Sequence, residues 1–181
     1  MIAKQSDGYT TDFIESLPEG QRAELIDGHI YMMSSPSRTH QKIVSFFDRK
    51  IGNFIEESSG NCEVYPAPFA VYLQNDKRNY FEPDISVICD KNKLDEKGCH
   101  GAPDWIIEVA SPSTQGYDGT TKLRKYKEAG VREYWIIFPE EKSIFVYFFE
   151  YKPILLYKFG DKIPVNIYDG NLVIDTSTIL I

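Results

Sequence analysis

Cysteine is scarce in this chain: three residues, Cys62, Cys89 and Cys99, among 181. They form no CxxC pair, and an odd number cannot all pair within one chain. The expectation is reduced thiols in an intracellular protein. Histidine is equally rare (His29, His40 and His100) and shows no HExxH or other zinc-like spacing. No apolar run approaches the roughly 20 residues that span a bilayer. Met1 to Asp7 carries no signal-peptide hydrophobic region. A cytoplasmic location without a membrane partner is the default expectation. Positive charge is the minority, 20 Lys and Arg against 27 Asp and Glu, for a net charge of −7. That argues against a protein that coats nucleic acid non-specifically, but it leaves room for a local basic groove. No internal repeat and no low-complexity linker interrupts the chain.

What is present is a core. Hydrophobic residues make up 42% and aromatic residues 14%, and this length favours one domain over residues 1–181. Thr10-Thr11-Asp12 offers an N-cap for a short helix across 11–17. Asp27-Gly28 lies between the strand-like runs Ala23–Ile26 and His29–Met33, a strong hairpin signal. Ile43, Val44, Phe47, Ile51, Phe54 and Ile55 recur at helical spacing, which predicts a helix from Thr39 to about Glu57. Val64–Leu73 reads as a strand, with Pro66 and Pro68 marking an edge or a bulge. Glu82–Cys89 reads as a strand and Asp90–His100 as a charged loop. Trp105–Ala110 reads as a central strand, Asp118–Ala129 as a helix capped by Gly130, and Tyr134–Phe138 as another strand. That order fits a right-handed crossover between parallel neighbours. Ser143–Tyr151 and Ile154–Phe159 resemble a hairpin, and the tail from Pro164 to Ile181 adds a strand and a last turn. The sum is an α/β domain with a mixed sheet.

Two of the strands carry charge where none belongs. Glu108 interrupts Trp105-Ile106-Ile107-Glu108-Val109-Ala110, and Asp84 interrupts Glu82-Pro83-Asp84-Ile85-Ser86-Val87-Ile88. A carboxylate stays in a core only if a cation or hydrogen bonds compensate it. Strand alternation puts Asp84 with Ser86 and Ile88, and Glu108 with Ile106 and Ala110. On neighbouring strands the two acids can point the same way, where they repel unless a cation sits between them. Mg²⁺ suits such a place, because it takes oxygen ligands and keeps several waters. The Val109 carbonyl can supply another ligand. The plainer alternative is a buried ion pair with Lys or Arg.

The following helix carries Lys122, Arg124, Lys125 and Lys127. Lys122 shares a face with Tyr126 and can reach back to the carboxylates, where its ammonium would hold a water or stabilise charge on phosphorus. Arg124 and Lys127 read as a solvated face, and Asp118 as an N-cap. Glu24 alone is an ordinary strand residue. His40 opens the long helix and can hydrogen-bond an acidic side chain.

In order, Glu24-Leu25-Ile26-Asp27-Gly28, Pro83-Asp84, Ile107-Glu108-Val109-Ala110-Ser111-Pro112-Ser113, Asp118 with Lys122, and Ala129-Gly130-Val131-Arg132-Glu133-Tyr134-Trp135 resemble the Uma2 family. That group is assigned to the restriction endonuclease-like PD-(D/E)XK superfamily. The resemblance runs from about Thr10 to Tyr168 and is most specific from Pro83 to Trp135. It implies a restriction endonuclease-like mixed β-sheet flanked by helices, acting on DNA with Mg²⁺ (or Mn²⁺). Carried over by position, Asp84 and Glu108 are metal ligands, Glu24 is an acid from the N-terminal segment, and Lys122 is the catalytic lysine. The superfamily's E-x-K pattern would put lysine at position 110, where this chain has Ala110. Lys122 supplies the charge from the helix instead, with Lys125 as second choice. The implied activity is metal-assisted phosphodiester hydrolysis, by a possible homodimer. A catalytically inactive nucleic-acid-binding or interaction module on the same fold is the alternative, favoured modestly by the acidic net charge. A carboxylate-pair glycosidase is disfavoured by the basic helix.

Overall fold

A computed structural model describes residues 3–4, 8–73, 77–111, 118–150 and 154–179. The chain runs β1 (Ala3–Lys4), α1 (Thr11–Glu15), β2 (Ala23–Ile26), β3 (His29–Met32), α2 (Arg38–Glu57), β4 (Glu63–Pro66) and β5 (Val71–Tyr72). It continues through β6 (Ile85–Ile88), β7 (Leu94–Asp95), β8 (Gly98–His100) and β9 (Trp105–Val109). A π-helical turn, Asp118–Lys122, leads into α3 (Leu123–Ala129). Then come β10 (Glu133–Phe138), β11 (Ser143–Phe148), β12 (Leu155–Lys158), β13 (Lys162–Pro164) and β14 (Val173–Asp175).

The centre is a six-stranded sheet in the order β12-β11-β10-β9-β6-β4. β9 and β10 are parallel, joined through α3, and every other pair is antiparallel. Alternation decides what each face buries. Ile85, Val87, Trp105, Ile107, Trp135 and Ile137 pack against Ile43, Phe47 and Ile51 of α2 and against the C-terminal residues Ile163 to Ile174. Ile88, Ile106, Tyr134 and Ile136 face the other way, onto Ile26, Phe81 and Tyr126. Trp105 and Trp135 are fully buried with ring centroids 4.9 Å apart. Rings of this size remove about 150–250 Å² each from water, roughly 4–6 kcal/mol apiece at ~25 cal/mol per Å².

The hairpin forms as expected. Asp27 and Gly28 both adopt positive φ, 52° and 82°, which a tight two-residue turn requires. β2 pairs antiparallel with β3, and Leu25 bridges to Tyr80, which ties the hairpin to the segment leading into β6. β4 is the sheet edge, in keeping with Pro66.

Three expectations need correction. Val64–Leu73 is two strands rather than one, separated at Ala67–Ala70 around a cis Ala67–Pro68 bond. Asp90–His100 contains β7 and β8, which form a separate small sheet with β5 in the order β5-β8-β7. The thiols are not all reduced. Glu63 pairs with Ile88 across β4 and β6, so the next rung brings Cys62 and Cys89 together, and they form a disulfide. Cys99 stays free and buried, and burial pushes its thiol up to about 11. No helix among the described residues is long and apolar enough to cross a membrane.

Candidate active site

Glu108 leaves β9 on the face that carries α3, because alternation puts it on one side with Ile106 and Ala110. Its carboxylate is 5% exposed. Lys122 Nζ donates to Oε1 at 2.8 Å, and the Tyr126 hydroxyl donates to the same oxygen at 2.9 Å. These donors sit one helical turn apart, the i, i+4 relation that sets both on one flank. The ammonium also lies 2.9 Å from Glu24 Oε2. Glu24 comes from β2 and is fully buried. One buried cation therefore joins two buried acids from different sheets.

A second layer fixes Glu24. Its Oε1 accepts the Glu82 backbone N–H at 3.1 Å. The Glu82 side chain accepts from the Tyr80 hydroxyl at 2.6 Å and from Arg22 Nε at 2.6 Å. Burial, reinforced by the bond to Glu82, pushes the Tyr80 hydroxyl far above its ordinary range. Tyr80 thus remains a donor at any physiological pH.

Asp84 lies just before β6 at the rim of the sheet. Its Oδ2 accepts the Val109 backbone N–H at 2.8 Å and His40 Nε2 at 3.1 Å. His40 comes from the first turn of α2, which is capped by the Ser37 hydroxyl accepting from the His40 N–H. An acid fixed by two donors is oriented by the scaffold rather than free to rotate.

These groups meet in one cleft of about 510 Å³, lined by Arg22, His40, Asp84, Glu108, Val109 and Lys122 among others. All four acids and bases singled out in the sequence are close to it: Asp84, Glu108 and Lys122 line it, and Glu24 is bound to Lys122 behind them. Lys125, the second-choice lysine, is buried and ion-paired with Asp27 at the hairpin tip. Arg124 is exposed and pairs with Glu128, in keeping with a solvated face. The Asp118 side chain, expected to cap the helix, lies outside the described residues.

The oxygen donors on the cleft fit Mg²⁺ by type: the carboxylates of Asp84, Glu108 and Glu140 and a backbone segment, with no thiolate. Among the described residues no three His, Cys, Asp or Glu side chains are grouped as a metal cluster. Arg22, Glu82 and Tyr126 were not singled out as working parts in the sequence. Alternation did hold one signal: Arg22, two positions before Glu24, falls on the same side of the strand.

Comparison with known proteins bears on the family and the fold. An uncharacterized protein of Synechocystis sp. is 32% identical over 106 residues, covering 59% of this chain. The match spans 54% of that relative, so the chain reaches about half its length. A crystal structure described as a "putative nuclease belonging to DUF820", from Anabaena variabilis, has the same fold, with a TM-score of 0.76 at 24% identity. That likeness covers 94% of this chain and 96% of the other. The family model described as "Putative restriction endonuclease" matches residues 10–176. This protein belongs to the Uma2 family.

Proposed function

We propose that the cleft hydrolyses phosphodiester bonds of DNA with a divalent cation, Mg²⁺ or Mn²⁺. One observation carries the proposal: Asp84, Glu108 and Lys122 line a single cleft, with Glu24 held behind them. Family membership supports the nuclease class. Asp84, Glu108 and the Val109 carbonyl would hold the ion. When bound, the ion supplies Lewis-acid polarisation and an acidified water.

The chain's own residues do the rest. Lys122 presents a fixed positive charge to an oxygen that gains negative charge in the transition state. Tyr126 and Glu24 keep that ammonium and the Glu108 carboxylate in place, so little reorganisation is needed. His40 orients Asp84 from the opposite layer. Arg22, anchored by Glu82, adds a second cation at the cleft wall for a non-bridging phosphate oxygen.

A second proposal, a nucleic-acid-binding module without catalysis, has its own support. Lys122 already pairs with both Glu24 and Glu108, so each of these acids has a cationic partner without an added ion. Calorimetry with Mg²⁺ and Mn²⁺, together with cleavage of supercoiled plasmid, decides between them. The expected result is saturable metal binding and nicking by the wild type, both lost in Asp84→Ala and Glu108→Ala. Unchanged cleavage in both variants would remove this site, and duplex binding without metal uptake or cleavage would favour the module.

A further inference from the structure

The outward face of α2 is basic in a chain that is acidic overall. Arg38, Lys42, Ser45 and Arg49 are all exposed and follow one another at steps of four, three and four, a single stripe along the helix. Between positions 38 and 50 there are four Lys or Arg and one acid, Asp48, a balance of +3 (4 − 1) against −7 for the chain. The stripe borders a second groove of about 520 Å³, floored by Phe46 and flanked by Thr178. Gln41 lines both this groove and the catalytic cleft, so the two adjoin.

Arg38 and Arg49 are positioned for an outside partner. Arg38 makes no ion pair with any described residue. Arg49 Nη1 donates to Ser45 Oγ at 2.7 Å, a neutral acceptor that fixes the guanidinium without cancelling its charge. Two acids lie close: half-buried Asp48, beside Arg49, and Asp175, which feels Lys50. Neither is on the stripe. Lys50 lies 5.8 Å over the Phe46 ring.

We propose that this face of α2 is the track on which the phosphate backbone of duplex DNA lies as it enters the cleft. From Arg38 to Arg49 the helix rises roughly 16 Å, which spans about five phosphates of one strand at 3.4 Å each. Charge complementarity and the groove's place beside the cleft name the occupant. Duplex is favoured over single strand because the stripe offers no exposed aromatic ring for an unpaired base to stack on. The proposal takes the identity of the polyanion from the nuclease proposal above, but it concerns binding alone.

The test is fluorescence anisotropy of a 20-base-pair duplex across a salt series, in EDTA, with the full chain. Arg38→Gln combined with Arg49→Gln should reduce the slope of log affinity against log salt by about 1.8, at ~0.9 per phosphate contact. At 0.1 M salt, relative to 1 M, that is roughly a 60-fold loss. The thermal midpoint should not move. A charge-matched control, Lys127→Gln with Lys158→Gln, should bind as the wild type does. An unchanged slope in the first variant, an equal loss in the control, or tighter binding of the single strand than of the duplex overturns the proposal. If the variant loses duplex affinity while the wild type cleaves nothing with Mg²⁺ or Mn²⁺, the track stands and the nuclease proposal falls. If the wild type cleaves and the variant binds unchanged, the reverse holds.

Discussion

Asp84 and Glu108 lie together at the end of the β6–β9 ladder. Ile85 pairs with Ile107 there, and positions 84 and 108 follow one step further out. Carboxylates that share a site repel. The protein answers this with separate partners. Lys122 and Tyr126 hold Glu108, while His40 and the Val109 N–H hold Asp84.

The charge balance at Lys122 should therefore be visible in stability. Lys122→Met leaves two buried carboxylates facing each other, and breaking a buried ion pair from one side costs about 3–5 kcal/mol. Urea denaturation at neutral pH should show a loss of that size. A loss under about 1 kcal/mol would mean that Glu24 and Glu108 do not both carry charge in the folded state.

Asp84 separates structure from chemistry. An asparagine carbonyl oxygen can still accept from Val109 and His40, so Asp84→Asn should melt within a few degrees of the wild type. Asp84→Ala leaves the Val109 N–H unpaired and should cost about 1–3 kcal/mol. Both variants should lose divalent-ion affinity by calorimetry. An asparagine variant that binds the ion as well as the wild type would exclude Asp84 as a ligand.

Thiol counting checks the disulfide. Native protein should react slowly with Ellman's reagent, because Cys99 is buried and its thiol is pushed up to about 11. Denatured, unreduced protein should give one thiol, and reduced protein three. Three thiols before reduction would show Cys62 and Cys89 unpaired.

Glu133 should impose a pH dependence. It is fully buried; burial raises its carboxyl, and hydrogen bonds from Trp135, Ile167 and Asn166 only partly offset that. The folded value therefore lies above the ordinary 4.5. The stability it contributes is complete below 4.5 and declines as pH rises through the raised folded value. The stability gap between wild type and Glu133→Gln should accordingly be larger at pH 4 than at pH 7 in paired urea titrations. An equal gap at both values would place Glu133 at its ordinary pKa.

Much of this was legible in the residues. Asp27-Gly28 marked the hairpin because its positive φ angles have few other uses. The apolar spacing from Ile43 to Ile55 marked α2, since a buried stripe must face one way. Glu108 stood out because a strand buried on both faces has no other reason to carry a charge. Less was legible where contact is long-range. The disulfide depends on the register of β4 against β6, which a cysteine count does not reveal. β7 and β8 are two- and three-residue strands whose polar residues look like any loop. Arg22 and Glu82 were hidden because a charged residue at a strand end is ordinary until its partner, 60 positions away, is known.

The wide turn at Asp118–Lys122 sets the angular phase of α3. Each residue of an α-helix advances the side chain by about 100°. Removing one residue from that turn would rewind it and carry the Lys122 ammonium away from Glu108, leaving a neighbour in its place. Since Ala110 supplies no lysine from the strand, the length of this one turn decides whether the acids have a cation at all.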